Sequence, residues 1–254
     1  MKRRNIVYDP ATKLTLDVST PRFKKSKAVL VFAHGGNWET GSKRIYRYFG
    51  KGWGRKGVTT VVFNYRLYPD TTNAGMANDA ANALAWTHQN ISRYKGDPQK
   101  IFVAGHSAGA QLAALVAMDP SYLRGRAGKE PVRGIILIDP YGLDVFDEFN
   151  QGGSYKRDMY LSVFSSDPEQ WKKASPYWHL DKQTPPVISF LGGDTYPGII
   201  RGTKRFHDKL LTFQPSAKLI EVPGKKHAPM ILMFLNPRNR AYKLIMDFMQ
   251  NPQK

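Results

Sequence analysis

The sequence contains no cysteine. Disulfides, thiolate nucleophiles and Cys-ligated zinc are excluded together, while the compartment stays open, because a cysteine-free chain suits cytosol and periplasm alike. No apolar run approaches the ~20 residues of a membrane-spanning helix, so no span is expected. The longest runs, at 28–33 and 134–138, have the length of buried strands. Met1-Lys2-Arg3-Arg4 resembles the charged start of a signal peptide, but residues 5–10 place no apolar stretch behind it. No H-x-H, H-E-x-x-H or carboxylate cluster suggests a metal, and no G-x-G-x-x-G follows the first apolar strand. Neither a metal nor another cofactor is therefore expected. Acidic side chains are scarce, 20 against 38 basic ones, for a net charge of +18.

That charge is unevenly placed. Residues 1–60 carry 14 basic and 3 acidic side chains, residues 199–254 carry 11 and 3, and residues 61–198 carry 13 and 14. The largest clusters are Lys2-Arg3-Arg4, Lys24-Lys25-Ser26-Lys27 and Lys225-Lys226. Dispersed cations of this kind read as a solvated surface rather than as a specific nucleic-acid site. What the chain does have is core material. Its 254 residues include 13 Phe, 13 Tyr and 5 Trp, which excludes a disordered chain and suits one α/β domain.

Residues 14–18, 28–33, 58–64, 101–104, 132–138, 187–191 and 218–222 have strand patterns; residues 42–56, 73–90, 108–118, 199–212 and 238–250 have helical spacing. The alternation predicts an α/β fold with a mostly parallel sheet covered on both faces. Residues 141–186 are too long for an ordinary connection and read as an insertion over one end of the sheet within a single domain spanning 1–254. Between residues 139 and 181 lie eight acidic and four basic side chains.

The strongest chemical signal is Gly105-His106-Ser107-Ala108-Gly109. A strand leads into it and a helix of small residues leaves it, the setting in which a strained turn lifts a serine hydroxyl above a sheet. Upstream, His34-Gly35-Gly36-Asn37-Trp38 follows the strand at 28–33. Acyl transfer builds charge on a carbonyl oxygen, and fixed N–H donors stabilise it. The candidates are the N–H of Ala108 and that of Gly36 or Asn37, with His34 read as a brace for its loop. A serine at neutral pH needs a base, and the base an orienting acid. Among six histidines, His227 follows the strand at 218–222 through a short turn, where a base should stand. Asp194, past the strand at 187–191, is favoured as the acid; Asp139, at the end of the preceding strand, is its rival. Trp38, Tyr141, Tyr196 and Met230 are candidates to ring the serine and bind substrate. Arg66 and Asp79 read as structural braces.

Serine, acid and histidine in that order, below an H-G-G loop, resemble the α/β-hydrolase fold. Within it the chain is similar to the esterase/lipase group that includes carbohydrate-acyl esterases and kynurenine formamidase. The matching phrases are residues 14–18 with Pro21, His34–Trp38, Asn64-Tyr65-Arg66-Leu67-Tyr68-Pro69, residues 105–112, Ala174-Ser175-Pro176 and residues 224–231. Two departures stand out. Asn37 occupies a position where such enzymes often carry Gly, Ala or Tyr, and Thr195-Tyr196-Pro197-Gly198 lacks the valine–proline phrase common in the carbohydrate esterases. The resemblance implies a serine hydrolase cleaving short-acyl carboxylic esters, on a small molecule or a carbohydrate, through an acyl-enzyme. An arylformamidase using the same residues is the alternative, and an idle fold that binds nucleic acid or an acidic surface through its basic ends is the third reading. Oligomeric state is not legible.

Overall fold

In the computed structural model, which describes residues 2–22, 28–126, 131–151 and 157–253, the described residues build one eight-stranded sheet. Its strands are β1 (Lys2–Asp9), β2 (Leu14–Ser19), β3 (Val29–Ala33), β4 (Thr59–Phe63), β5 (Ile101–His106), β6 (Val132–Ile138), β7 (Val187–Gly192) and β8 (Lys218–Val222). They lie in the order β1-β2-β4-β3-β5-β6-β7-β8. β1 and β2 pair antiparallel, as do β2 and β4; every later pair is parallel. This is the α/β-hydrolase fold. The basic cluster at 24–27 lies outside the described residues.

The inner strands β3, β5 and β7 are buried along their whole length and read as largely apolar runs because both of their faces are covered. Side chains alternate between two cores. Val29, Val31 and Ala33 of β3 face one core, and Leu30 and Phe32 the other; Ile135 and Leu137 of β6 are split in the same way from Ile136 and Ile138. Against the first face pack α2 (Asn73–Asn90) and α3 (Ala108–Met118). Against the second pack α1 (Arg47–Arg55) and, at the far end of the chain, α8 (His227–Leu232) and α9 (Arg240–Gln250). The remaining helices are α4 (Val145–Asn150), α5 (Arg157–Phe164) and α6 (Pro168–Lys173), all between β6 and β7, and α7 (Pro197–Leu211) between β7 and β8. Among the described residues, no helix is long and apolar enough to cross a membrane.

Sequence patterning missed β1. Lys2-Arg3-Arg4 is mostly exposed there, on an edge strand whose cations discourage further pairing. The strand is held by a buried ion pair: the Lys43 ammonium donates to Asp17 Oδ1 and to Asn5 Oδ1, at 2.7 Å for the latter. Arg66 and Asp79 form a second pair, with the guanidinium reaching both carboxylate oxygens of a buried aspartate.

The helix after β5 comes unusually close to the end of β3. A Cβ on Gly109 would lie 2.3 Å from the carbonyl oxygens of both Ala33 and His34. Gly109→Ala is therefore expected to force α3 off the sheet and cost about 1–3 kcal/mol, the usual range for overpacking. A urea titration checks this; an unchanged midpoint would show that the helix can move freely.

Candidate active site

β5 ends at His106 and α3 begins at Ala108, so Ser107 alone makes the turn. It does so at φ 55° and ψ −126°, a conformation costing a non-glycine residue about 1–3 kcal/mol. The surroundings hold it there: the Ser107 N–H donates to Ile138 O at 3.1 Å, and its carbonyl accepts from Ala110 N–H at 2.9 Å. Ser107 Oγ lies 2.8 Å from His227 Nε2, and His227 Nδ1 lies 2.6 Å from Asp139 Oδ2. An ionised carboxylate only accepts, so the imidazole proton sits on Nδ1 and the serine hydroxyl donates to Nε2.

The acid beside His227 is therefore Asp139, and the expectation for Asp194 is corrected. Strand-end position favoured Asp194, but the loops after β7 and β8 continue to pair beyond the sheet. Gly193 N–H donates to Val222 O and Asp194 N–H to Lys225 O, which leaves the Asp194 side chain exposed. Asp139, fully buried and at φ 45°, reaches across the end of β7. Its Oδ1 accepts the Gly192 N–H at 2.7 Å, and its Oδ2 accepts the Thr195 hydroxyl. The loop read as the source of the acid instead supplies the donors that hold it. Thr195 escaped the sequence reading because nothing in its neighbourhood marks it as the partner of a residue 56 positions earlier.

The loop after β3 bends through consecutive positive φ values: 136° at Gly36, 60° at Asn37 and 62° at Trp38. It lies against the elbow so closely that a Cβ on Gly35 would stand 3.2 Å from Ser107 Cβ. The N–H groups of Gly36, Asn37 and Ala108 have no acceptor among the described residues. The Asn37 side chain is not loose. Its Oδ1 accepts the Tyr160 hydroxyl of α5 at 2.8 Å.

The ring of aromatics is only partly as expected. Trp38 is 1% exposed, its indole N–H donating to Gln111 Oε1 at 3.0 Å, and Met230 is fully buried. Both are core residues and are corrected as substrate contacts. Trp38 instead backs a wall formed with Tyr141, Tyr160 and Phe164, at ring distances of 5.6, 5.7 and 4.9 Å. Tyr141 is half-buried; its N–H donates to Ser107 O at 3.3 Å and its hydroxyl to Glu148 Oε1 at 3.3 Å. Tyr196 is 65% exposed, with its ring 5.4 Å from that of His227.

Two more histidines support the site without reaching the serine. His34 is fully buried, stacked on Tyr65 at 4.3 Å and bonded through Nδ1 to Gly35 O, the bracing role expected for it. His106 stacks on His227 at 4.8 Å. Its Nε2 is 3.3 Å from His227 O and its Nδ1 3.4 Å from the Tyr46 hydroxyl. A carbonyl only accepts, so Nε2 carries the proton and the Tyr46 hydroxyl donates to Nδ1. Tyr46 also accepts the Gly35 N–H, at 3.1 Å, which makes one directed relay from the glycine loop to the backbone of His227. Burial pushes His34 down to about 4; burial, with the neighbouring His227, pushes His106 down to about 3. Among the described residues, no group of three His, Asp or Glu side chains could hold a metal ion.

Comparison with known proteins identifies the family. The BD-FAE family profile matches residues 16–201. The chain belongs to the BD-FAE family. The match spans β2 through the start of α7, and so includes the glycine loop, the elbow and Asp139, while His227 lies beyond it. This BD-FAE chain is 30% identical over 246 residues to isoprenylcysteine alpha-carbonyl methylesterase ICME of Arabidopsis thaliana, covering 91% of this chain and 57% of that protein. It is 25% identical over 270 residues to esterase LipC of Mycobacterium tuberculosis, covering 94% and 66%. It therefore spans a little over half the length of the plant relatives it matches. The apo form of Thermogutta terrifontis esterase 2 superposes with a TM-score of 0.79 at 22% identity, over 99% of this chain and 96% of that one, which establishes the shared fold.

The two depressed histidines have a consequence for stability. Both rings are neutral in the fold, whereas the unfolded chain protonates them near pH 6.5. The unfolded state thus binds more protons below that value, and stability falls as the pH is lowered from about 6.5 towards 4, by up to about 1.4 kcal/mol per pH unit for each ring. Urea midpoints at pH 7 and pH 5 check this. The wild type should lose stability over that interval, and His34→Phe should lose less of it.

Proposed function

We propose that this protein hydrolyses carboxylic esters of small acyl groups through an acyl-enzyme on Ser107. The observation that carries the reading is the continuous chain from Ser107 Oγ through His227 to the buried Asp139. His227 Nε2 takes the hydroxyl proton as Oγ attacks the ester carbonyl, and the imidazolium so formed is stabilised by Asp139. The N–H of Ala108 and those of Gly36 and Asn37 hold the developing oxyanion. The imidazolium then returns its proton to the departing alcohol. Water repeats the sequence on the acyl-enzyme and releases the acid.

Acyl size follows from the wall beside the serine. Trp38, Tyr141, Tyr160 and Phe164 interlock there, and a Cβ on Gly142 would already lie 2.9 Å from the Trp38 ring. This filled wall supports a short acyl group. The leaving group points towards the more open side, where Tyr196 stands exposed. A small-molecule or carbohydrate-linked ester fits this arrangement, and the Arabidopsis relative is named for methylesterase activity, the same reaction class.

The test is the acid. Asp139→Asn should lower kcat for p-nitrophenyl acetate by about 10³–10⁴-fold, because the imidazole is then held in the wrong tautomer. Asp194→Asn should change it by less than about tenfold. The reverse pattern would return the role to Asp194. A fluorophosphonate should label the wild type and not Ser107→Ala. Turnover of N-formylkynurenine well above that of the ester would favour the formamidase reading.

A further inference from the structure

Three of the exposed large apolar side chains, Ile45, Leu232 and Leu235, lie on two neighbouring segments. One is the stretch that enters α1; the other is α8 with the 3-10 turn after it, Met233–Leu235. The Tyr48 hydroxyl donates to Ile231 O at 3.2 Å and joins the two. On the second segment Met230, Ile231, Met233 and Phe234 are buried against the sheet. A surface helix normally turns polar residues to water on its opposite side. Here that side carries Ala228, Leu232 and Leu235, spaced to share one face, with Leu232 48% and Leu235 58% exposed. On the first segment Ile45 is 63% exposed. This is an apolar surface without a cover.

The charge along these two segments has one sign. Residues 40–56 and 222–246 contain no acidic side chain. Lys43 is spent on Asp17, with Arg47 beside it, and Lys243 on Asp247. Arg44, Lys51, Arg55, Lys226, Arg238 and Arg240 are exposed and have no acidic partner among the described residues. Exposed apolar side chains on segments that carry unpaired cations match a surface that offers hydrocarbon beneath a layer of negative charge. A soluble polyanion satisfies the cations and leaves the leucines in water. A protein partner of complementary charge lacks anything on this face to select it.

We propose that this face docks on an anionic phospholipid bilayer, with Ile45, Leu232 and Leu235 entering the headgroup–acyl boundary and the six cations meeting lipid phosphates. The inference stands apart from the hydrolase reading, since it uses none of the residues assigned to the reaction. It does set the site beside the membrane, because α8 begins at His227.

Co-sedimentation of the intact chain with vesicles tests it. Vesicles of phosphatidylcholine containing about 30 mol % phosphatidylglycerol should bind at least roughly tenfold more protein than phosphatidylcholine alone, less so as salt is raised. The double variant Leu232→Ser/Leu235→Ser should lose about fivefold or more of that binding while keeping its affinity for heparin. Ile45→Ser serves as the second variant should the double one fail to fold, as read by its melting curve. Absence of vesicle binding overturns the proposal. So does binding that the apolar variants leave unchanged, which would reduce it to the general attraction of a +18 chain for anions. Equal binding to neutral and anionic vesicles would remove the role of the cations and overturn it as well.

Discussion

The site depends on the close approach of α3 to the end of β3. Gly109 brings the helix backbone within van der Waals reach of the Ala33 and His34 carbonyls, and Gly105 lets the strand pass under the same helix turn. That contact fixes where Ser107 stands relative to the glycine loop. Ser107 is thereby held in a backbone conformation it would not adopt alone, and its Oγ meets His227. The strain is local, and the packing of two cores on either side of β3 and β5 offsets it.

Around this contact, supporting groups come from distant parts of the chain. Asp139 is held by the β7 end through Gly192 and Thr195. His227 is steadied from below by Asp139 and along its ring by His106, which is tied in turn through Tyr46 to Gly35. The glycine loop is anchored on its other side by the Tyr160 hydroxyl. The pairs of acids and arginines farther out do similar work for the connection between β6 and β7. Arg201 bonds Glu148 and Arg205 bonds Asp144, tying α7 to α4 behind Tyr141. Glu148 also accepts from Tyr141, which connects that aromatic wall to the helix after β7.

The electrostatic pattern separates two tasks. The connection between β6 and β7 is acidic, and its Asp144, Asp147 and Glu148 are paired with Arg201 and Arg205 of α7. The surplus of cations lies on other surfaces, and where it meets exposed leucines it supports a docking face rather than substrate binding.

The sequence by itself determined the strand-and-helix alternation, the elbow at Ser107 and the glycine loop. Each of these is written in a few adjacent residues whose spacing is enforced by backbone geometry. Apolar runs, β-branched residues and alternation marked seven of the eight strands; β1 was hidden because an edge strand need not be apolar, and its cations mimic a targeting segment. Only the tertiary structure decided between Asp139 and Asp194. Both follow a strand at the same end of the sheet, so local sequence ranks them by position alone. The choice turned on how the loops after β7 and β8 pair beyond the sheet, sending one carboxylate outward and leaving room for the other to reach over β7. The same is true of Trp38, which looked like a pocket residue until Gln111, 73 positions away, was seen to hold its indole in the core. A hydrogen bond between residues that far apart has no local signature, because its geometry exists only once the sheet has brought the strand ends together.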